Sequence, residues 1–438
     1  MMKKLFLPLI ITLMPLLAFG APVNPDSVYT LNLFGFVEND MSYDSRESYA
    51  IAQELFYEFP KDIHLDADGK DLNAVARGRF LSLTARLDIA FRSPVYKGGV
   101  SVGGKIEGDF TASNIAHLQV RHAHGYVDFK RPYGSSDAVM HHRLLIGQAF
   151  HPMTDNMIPD MVSINTGSPF APYSRTPQLR YTATMPNIKV TGAALWKFQF
   201  ASPVMPEMAD FKNVYSAMHA APEMLVGIEY SGNHLKIGTQ ASWMTMRPRT
   251  QTTIDGNTYK IEGEHCESWT AQAYLRAGNR NWEFKIESMY GENVAHHLMN
   301  SGYAVTGING RNYEYSPLRM SNTWAEISYK STNLVHNYMF GIFGGYMKNF
   351  GTAKDAVSPS LVYTKWANNV DQMFRASAIG FYMYHDFKVG IEYEYTGAYY
   401  GDMKPDCTVT NTHLVGNHRA SLVVLYYFDF KWHFNKKV

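Results

Sequence analysis

The chain has 438 residues, a formal net charge of +1, 14% aromatic residues with 29 Tyr among them, and two cysteines. Charge this close to zero excludes a broad basic surface for nucleic acid. Beyond the N-terminus no stretch approaches the ~20 consecutive apolar residues of a membrane helix.

The first 20 residues carry Lys3 and Lys4, an apolar run from Leu5 to Leu17, and then Ala18-Phe19-Gly20. A basic start, a short apolar core and a small-residue exit read as a secretory signal cut near Gly20. Pro8 and Pro15 interrupt the run and speak against a core helix. The expectation is an exported chain with one domain spanning 21–438. A membrane protein without apolar helices must be a closed barrel, because lipid requires every backbone polar group to be paired within the chain.

From residue 28 onward the dominant period is two. Leu81, Leu83, Ala85, Leu87, Ile89 and Phe91 alternate with Ser82, Thr84, Arg86, Asp88 and Arg92. Val100, Val102, Ile106 and Phe110 alternate with Ser101, Lys105, Glu107 and Asp109. Trp282, Phe284 and Ile286 face away from Glu283, Lys285 and Glu287, and Val389, Ile391, Tyr393 and Tyr395 from Glu392 and Glu394. Charged rows repeated on strand after strand fit a barrel with lipid outside and water inside. Tight joints such as Met185-Pro186-Asn187, Ser231-Gly232-Asn233 and His385-Asp386 alternate with longer segments near 42–77, 151–175, 201–221, 247–266, 292–319, 349–371 and 401–416. Short turns on one side and long loops on the other are the pattern of an outer-membrane barrel.

This spacing predicts sixteen strands starting near 28, 79, 99, 117, 140, 176, 188, 223, 234, 267, 281, 321, 335, 373, 387 and 418. The even total is what a single-chain bacterial barrel requires. Leu361 to Trp366 reads as loop, since counting it makes the total odd. Gln119 and Arg121 share parity with Val127 and Phe129, so a bulge is expected near His122. In "LYYFDFKWHF", Leu425 to Phe434, the even positions form a lipid-facing aromatic row, and Asp429, Lys431 and His433 point into water. That strand is expected to close the barrel against "LNLFGFVEND" at Leu31.

Other motifs carry less. "DADGKD", Asp66 to Asp71, lacks the glycine and terminal glutamate positions of an EF-hand and reads as a turn. His122 and His124, with His117 and His141-His142 nearby, are read as lumen or interface imidazoles, and no metal is expected. Cys266 and Cys407 are compatible with one disulfide or with two thiols. There is no G-x-S-x-G elbow, P-loop or H-E-x-x-H, and no enzyme is expected.

The stretches "LLIGQAFHPMTDNMIPD" at Leu144 and "SRTPQLRYTATMP" at Ser174 resemble outer-membrane porins of the DcaP-like family. "LNLFGFVENDMSYDSRES" at Leu31, "DLNAVARGRFLSLTARLD" at Asp71 and "GIEYEYTGAYYG" at Gly390 extend the resemblance along the chain. It implies an all-β, 16-stranded antiparallel transmembrane barrel, a homotrimer, passive entry of small hydrophilic and often anionic solutes, and a loop after "GQAFHP" folded into the lumen as a constriction. The helical segment that precedes the barrel in some members has no counterpart before strand one, so any trimer is expected to use barrel walls and loops.

In such a pore the chemistry is electrostatic. Asp155 and Asp160 on the infolded loop are expected to face Arg86, Lys105, Arg121 and Arg180 on the wall, with Glu107 also lining the lumen. No cofactor is expected, and the partners are solutes and outer-membrane lipid, not nucleic acid. The competing reading is a receptor or adhesin barrel whose Tyr-rich loop, Gly302 to Pro317, stacks on glycans.

Overall fold

The computed structural model describes residues 26–434 except 53, 83, 111–117, 133–138, 163, 198–199, 204, 207–220 and 334. The segment read as a signal, Leu83, His117 and the basic tail from Asn435 lie outside the described residues. The strands are β1 (Tyr29–Asp44), β2 (Arg77–Leu81, continued as Ala85–Arg92), β3 (Val100–Asp109), β4 (Gln119–Pro132), β5 (Val139–Phe150), β6 (Arg175–Thr184), β7 (Ile188–Leu195) and β8 (Glu223–Ser231). They continue as β9 (Leu235–Met246), β10 (Cys266–Gly278), β11 (Trp282–Glu292), β12 (Arg319–Lys330), β13 (His336–Asn349), β14 (Val370–Tyr384), β15 (Phe387–Met403) and β16 (Val409–Phe434). Each pairs antiparallel with its sequence neighbour, and β16 returns to β1 in a register running from Tyr29 opposite Phe434 to Asp44 opposite Arg419. Closure leaves no unpaired sheet edge. The described residues thus form a closed 16-stranded antiparallel barrel, with no helix long and apolar enough to cross a membrane.

Burial is inverted relative to a water-soluble fold. Val226 and Ile342 on the outer face are 66% and 64% exposed, whereas Glu38, Asp88, Glu107 and Glu392 on the inner face are buried. Aromatic rings mark both rims of the outer face: Trp269, Tyr290 and Phe350 follow one another at 5.4 and 5.9 Å on the loop side. Trp282, Tyr329 and Tyr338 do the same at 5.3 and 6.2 Å on the turn side. Two such belts with an apolar band between them match a membrane-spanning barrel.

Three departures from strict alternation have local causes. Between Gly108 and Glu107 the register with β4 slips, leaving Arg121 as the extra residue, so Arg121 and His122 both point inward at the expected bulge. β2 breaks after Leu81, where Thr84 O accepts from Glu38 N–H at 2.8 Å. Before the break Phe80 faces outward at 62% exposed and Leu81 lies opposite Asp40, so the outward assignment of Leu81 is corrected; after it Leu87, Ile89 and Phe91 are outward as expected. β16 begins nine residues earlier than the predicted start, because Val409 to Gly416 pairs with an extension of β15 that continues past the rim.

The interior is the larger surprise. On β12, β13 and β14 the inward rows hold Trp324, Phe343, Met347 and Met373, all buried, where an aqueous lumen would carry polar groups. They pack on Phe59 of a loop hairpin (Ser48–Ile51 with Phe56–Pro60) and on Met157, Met161 and Phe170 of the loop between β5 and β6. Two long loops have entered the barrel and built a core inside it. Each large apolar side chain so buried contributes roughly 1.5–3 kcal/mol to holding them there.

That hairpin carries a buried acid. Glu58 is fully buried, and its carboxylate accepts from Ser168 Oγ at 2.8 Å. Desolvation pushes its carboxyl up to about 8, with Ser168 and the Arg375 charge pulling the other way. A raised folded-state value means the stabilisation is complete below the ordinary carboxyl range and is lost as pH rises through about 8. Thermal unfolding in detergent is therefore expected to weaken from pH 6 to pH 9, and Glu58→Gln should flatten that slope. An identical slope in the variant would remove Glu58 as its source.

Leu361 to Trp366 adds no strand to the barrel, as the sequence implied, but Val362–Thr364 is a short strand that pairs with Gly302–Asn309 in a separate small sheet. Asp66 closes a turn by accepting from Asp68 N–H and Lys70 N–H at 2.9 and 2.8 Å. Cys266 and Cys407 are free thiols, each buried in a separate apolar cluster.

Candidate pore site

β5 ends at Phe150, and the chain then turns into the lumen. His151 caps the one-turn helix α1 (Pro152–Asp155) by accepting at Nδ1 from Met153 N–H, 3.2 Å away. The loop's neck is closed where His151 N–H donates to Ser174 O at 2.9 Å and Ser174 N–H donates to Thr154 Oγ1 at 3.0 Å.

From the neck the loop is fastened to one side of the wall. Gln240 on β9 and Gln272 on β10 donate to Pro152 O and Met153 O at 3.1 and 2.8 Å. Lys285 on β11 reaches Ile158 O and Asp160 Oδ2 at 3.2 and 2.8 Å. Glu326 on β12 and Glu392 on β15 accept the N–H groups of Asp160 and Val162 at 2.6 and 3.1 Å. Arg375 on β14, fully buried, donates to Ser168 O at 2.8 Å and to Glu58 O at 2.6 Å, tying both entering loops to one guanidinium. Wall side chains thus satisfy backbone groups that would otherwise be buried without partners.

The opposite wall, β2 to β8, stays open. Two spaces of about 420 and 750 Å³ lie along it, and the residues common to both are Arg143, Asp155 and Arg180. Arg180 Nη1 and Asp155 Oδ2 are 2.9 Å apart across the junction. Arg143 pairs with Asp128 at 2.7 Å while its guanidinium lies over the Tyr126 ring at 4.2 Å.

The residues singled out from sequence fall into three places. Asp155 and Arg180 meet at the junction. Arg86, Lys105, Glu107 and Arg121 form one network on β2, β3 and β4: Arg121 contacts Glu107 at 2.5 Å and Asp109 at 2.9 Å, Lys105 contacts Asp88 at 2.8 Å, and Arg86 sits 3.5 Å from Glu107. Arg121 is itself buried, with Tyr173 Oη as a further partner at 3.2 Å. Asp160 lies across the barrel from these bases, held by Lys285 and by Lys330 at 3.0 Å.

A depth pattern runs along the open wall. Lys105 has a side chain 27% exposed over Asp88 at 4%, and Lys189 is 34% exposed over Glu229 at 7%. At these two positions a cationic tip lies over a buried carboxylate; at the junction the order is reversed, with Asp155 47% and Arg180 15% exposed, and Asp128 and Asp429 are further accessible acids on the same spaces.

His122 packs against Phe150 at 4.8 Å and lies edge-on to His124 at 6.0 Å, whereas His142 stacks on Phe129 at 4.7 Å and does not converge with the H-x-H pair. A different group converges: His151, Glu223, His296 and His297 present ligand atoms within 4.8 Å of one another, all buried. Burial holds His296 down to about 4 and so keeps it neutral, with Lys197 adding to the effect. Sequence reading passed over it because its members come from three distant segments; the adjacent pair in "VAHHLMN" was the available signal. In the Tyr-rich loop, Tyr303 is buried and Arg249 lies 3.5 Å over the Tyr313 ring, so these rings pack within the loop cap.

No family model and no curated protein matches the chain. Among solved structures it is similar to the outer membrane channel DcaP of Acinetobacter baumannii, at 17% identity and a TM-score of 0.61, over 93% of this chain and 100% of that one. It is also similar to outer-membrane expressed OmpT of Vibrio cholerae, at 10% identity and 0.52, over 93% and 100%. A third is an anion-selective porin from Comamonas acidovorans, at 8% identity and 0.50, over 91% and 100%. The barrel fold is common to all three, and with DcaP it agrees with the resemblance read from the sequence.

Proposed function

We propose that the protein is an outer-membrane porin, exported by its N-terminal signal, that admits small hydrophilic solutes passively and favours anions. The observation that carries the anion preference is the depth pattern on the open wall. An ion moving along it meets the ammonium tips of Lys105 and Lys189 first, and Asp88 and Glu229 beneath them are screened from it by those partners. In a narrow, partly desolvated passage such ordering of charges governs which ions pass. Asp155 against Arg180 and Arg143 is the constriction in this reading, and the network around Arg86, Lys105, Glu107 and Arg121 shapes the field above it. Asp160 serves as an anchor for the loop.

The barrel's size class supports a conducting role, since sixteen strands leave room for an aqueous channel even after loops have entered. A homotrimer, built through barrel walls, is part of the same proposal and rests on the resemblance to DcaP-like porins. Solute gradients supply the driving force, so no cofactor is required.

Reconstituted protein in planar bilayers should conduct in groups of three equal steps, with a zero-current potential in a KCl gradient that has the anion sign. Liposomes should swell faster in a dicarboxylate than in a neutral sugar of similar size. Folded protein that inserts but never conducts would end the porin reading and favour a binding role for the loops.

A further inference from the structure

The buried His/Glu group at the root of the infolded loop is built like a cation site. Its parts come from three segments at the long-loop end: His151 directly after β5, Glu223 at the first position of β8, and His296 and His297 in the short 3-10 turn after β11. All four side chains are 0–2% exposed. Glu223 Oε2 lies 3.2 Å from His296 Nε2, and Glu223 Oε1 lies 3.4 Å from His151 Nε2. Both ring nitrogens of His296 and of His297, and both oxygens of Glu223, lack a hydrogen bond of acceptable geometry. Several unpartnered polar atoms in one dry spot cost free energy unless something satisfies them.

Two bland accounts fall short. Lys197 places a positive charge where it acts on Glu223. Its ammonium reaches Ser202 Oγ at 3.5 Å, however, and both ring nitrogens of His297 still lack a hydrogen bond. Stacking is the second: His297 lies 4.1 Å from the His296 ring and at 88° to the His151 ring, 4.6 Å away. Apolar rings would pack equally well there without burying four orphaned nitrogens.

We propose that Glu223, His296 and His297 bind a divalent transition-metal ion of the zinc class, and that His151 is the outer partner that orients Glu223. The spacing fits: ligand atoms around a tetrahedral zinc with bonds of ~2.0–2.1 Å lie roughly 3.3 Å apart, close to the separation of Glu223 Oε2 and His296 Nε2. The two imidazole nitrogens select such an ion over calcium or magnesium, which take oxygen ligands. The role of His151 follows from its tautomer. Its Nδ1 accepts from Met153 N–H, so its Nε2 carries the proton and is directed at Glu223 Oε1 rather than at a metal. Two histidines and one glutamate leave a fourth position for water.

Bound there, the ion ties the neck of the infolded loop, through His151 and Glu223, to the start of β8 and to the turn after β11, and so steadies the element that sets the passage. Tyr173, at the loop's other end, already donates its N–H to His297 O at 2.9 Å, which puts both ends of the loop on the same clamp.

The test uses full-length, folded, heat-modifiable barrel in detergent, stripped with EDTA and titrated with ZnCl₂ by calorimetry. Wild type should bind about one zinc per chain, with an EDTA-reversible rise in unfolding temperature. CoCl₂ should give the intense visible bands of a tetrahedral nitrogen-oxygen site. His297→Gln and Glu223→Gln should abolish both signals while heat modifiability is retained. His151→Phe should keep the one-to-one stoichiometry and weaken affinity by about 10- to 100-fold. Wild-type protein that binds no zinc and shows no thermal shift overturns the proposal, and needs no variant to do so. Binding that persists in both Gln variants overturns it as well, by placing the ion elsewhere.

Discussion

Replacing Arg143 and Arg180 together by Glu is expected to turn anion preference into cation preference. Both guanidiniums border the two spaces on the open wall, and Asp155 is the acid they share there. The exchange shifts the local charge by four and places the two new carboxylates beside Asp155 and Asp128. At an effective dielectric near 20, a unit charge ~4 Å from a passing ion is worth about 4 kcal/mol, and even a fraction of that exceeds the ~1.4 kcal/mol needed for a tenfold change. The zero-current potential in a KCl gradient should therefore reverse sign. Asp155→Asn, which removes the acid and frees Arg180, should move it further in the anion direction. If both variants keep the parental potential, the junction is not where ions are chosen, and selectivity must be sought in the Lys105 and Arg86 network.

The second large effect is expected from Arg375→Met. This guanidinium is fully buried on β14, lies 3.5 Å from Glu394 and 2.9 Å from Thr396 Oγ1, and holds one carbonyl from each entering loop. Methionine can occupy much of the volume but supplies no donor. Among the described residues Glu394 would keep only Arg419, at 3.9 Å, as a charged neighbour, and Ser168 O and Glu58 O would lose the guanidinium that donates to them. Stranding a buried charge in this way costs on the order of 3–5 kcal/mol. The barrel wall itself has its ladder intact, so the loss should appear first in the loops. Single-channel records are expected to become noisy with larger open steps, and limited proteolysis should cut within 151–174 before the wall unfolds. Quiet, parental conductance would show that the apolar contacts of Phe59 and Phe170 hold the loops without Arg375.

How much of this was legible beforehand depends on whether the information was local. The period-two rows, the alternation of short and long joints, the closure of the terminal strand on β1 and the bulge at His122 all follow from which side chains neighbour one another along one strand. Sheet geometry then forces the rest, since a strand has two faces and lipid accepts only an apolar one. The aromatic row of Phe428, Phe430 and Trp432, with successive ring centroids 6.2 and 6.1 Å apart, could be read in the same way.

What tertiary structure alone decided lies inside the barrel. Trp324, Phe343 and Met373 belong to inward rows, and no rule of alternation explains them until two loops are seen to pack against them. Asp155 and Asp160 stand five positions apart on one loop, yet they face different walls, because the segment between them crosses the lumen and each acid pairs with the bases it reaches there. The His151, Glu223, His296 and His297 group exists only where three loop roots meet at one end of the closed sheet. A sequence fixes which face each strand turns to lipid, because that is a nearest-neighbour matter. Which loop fills the lumen, and which distant side chains it brings together, depends on closing the ring.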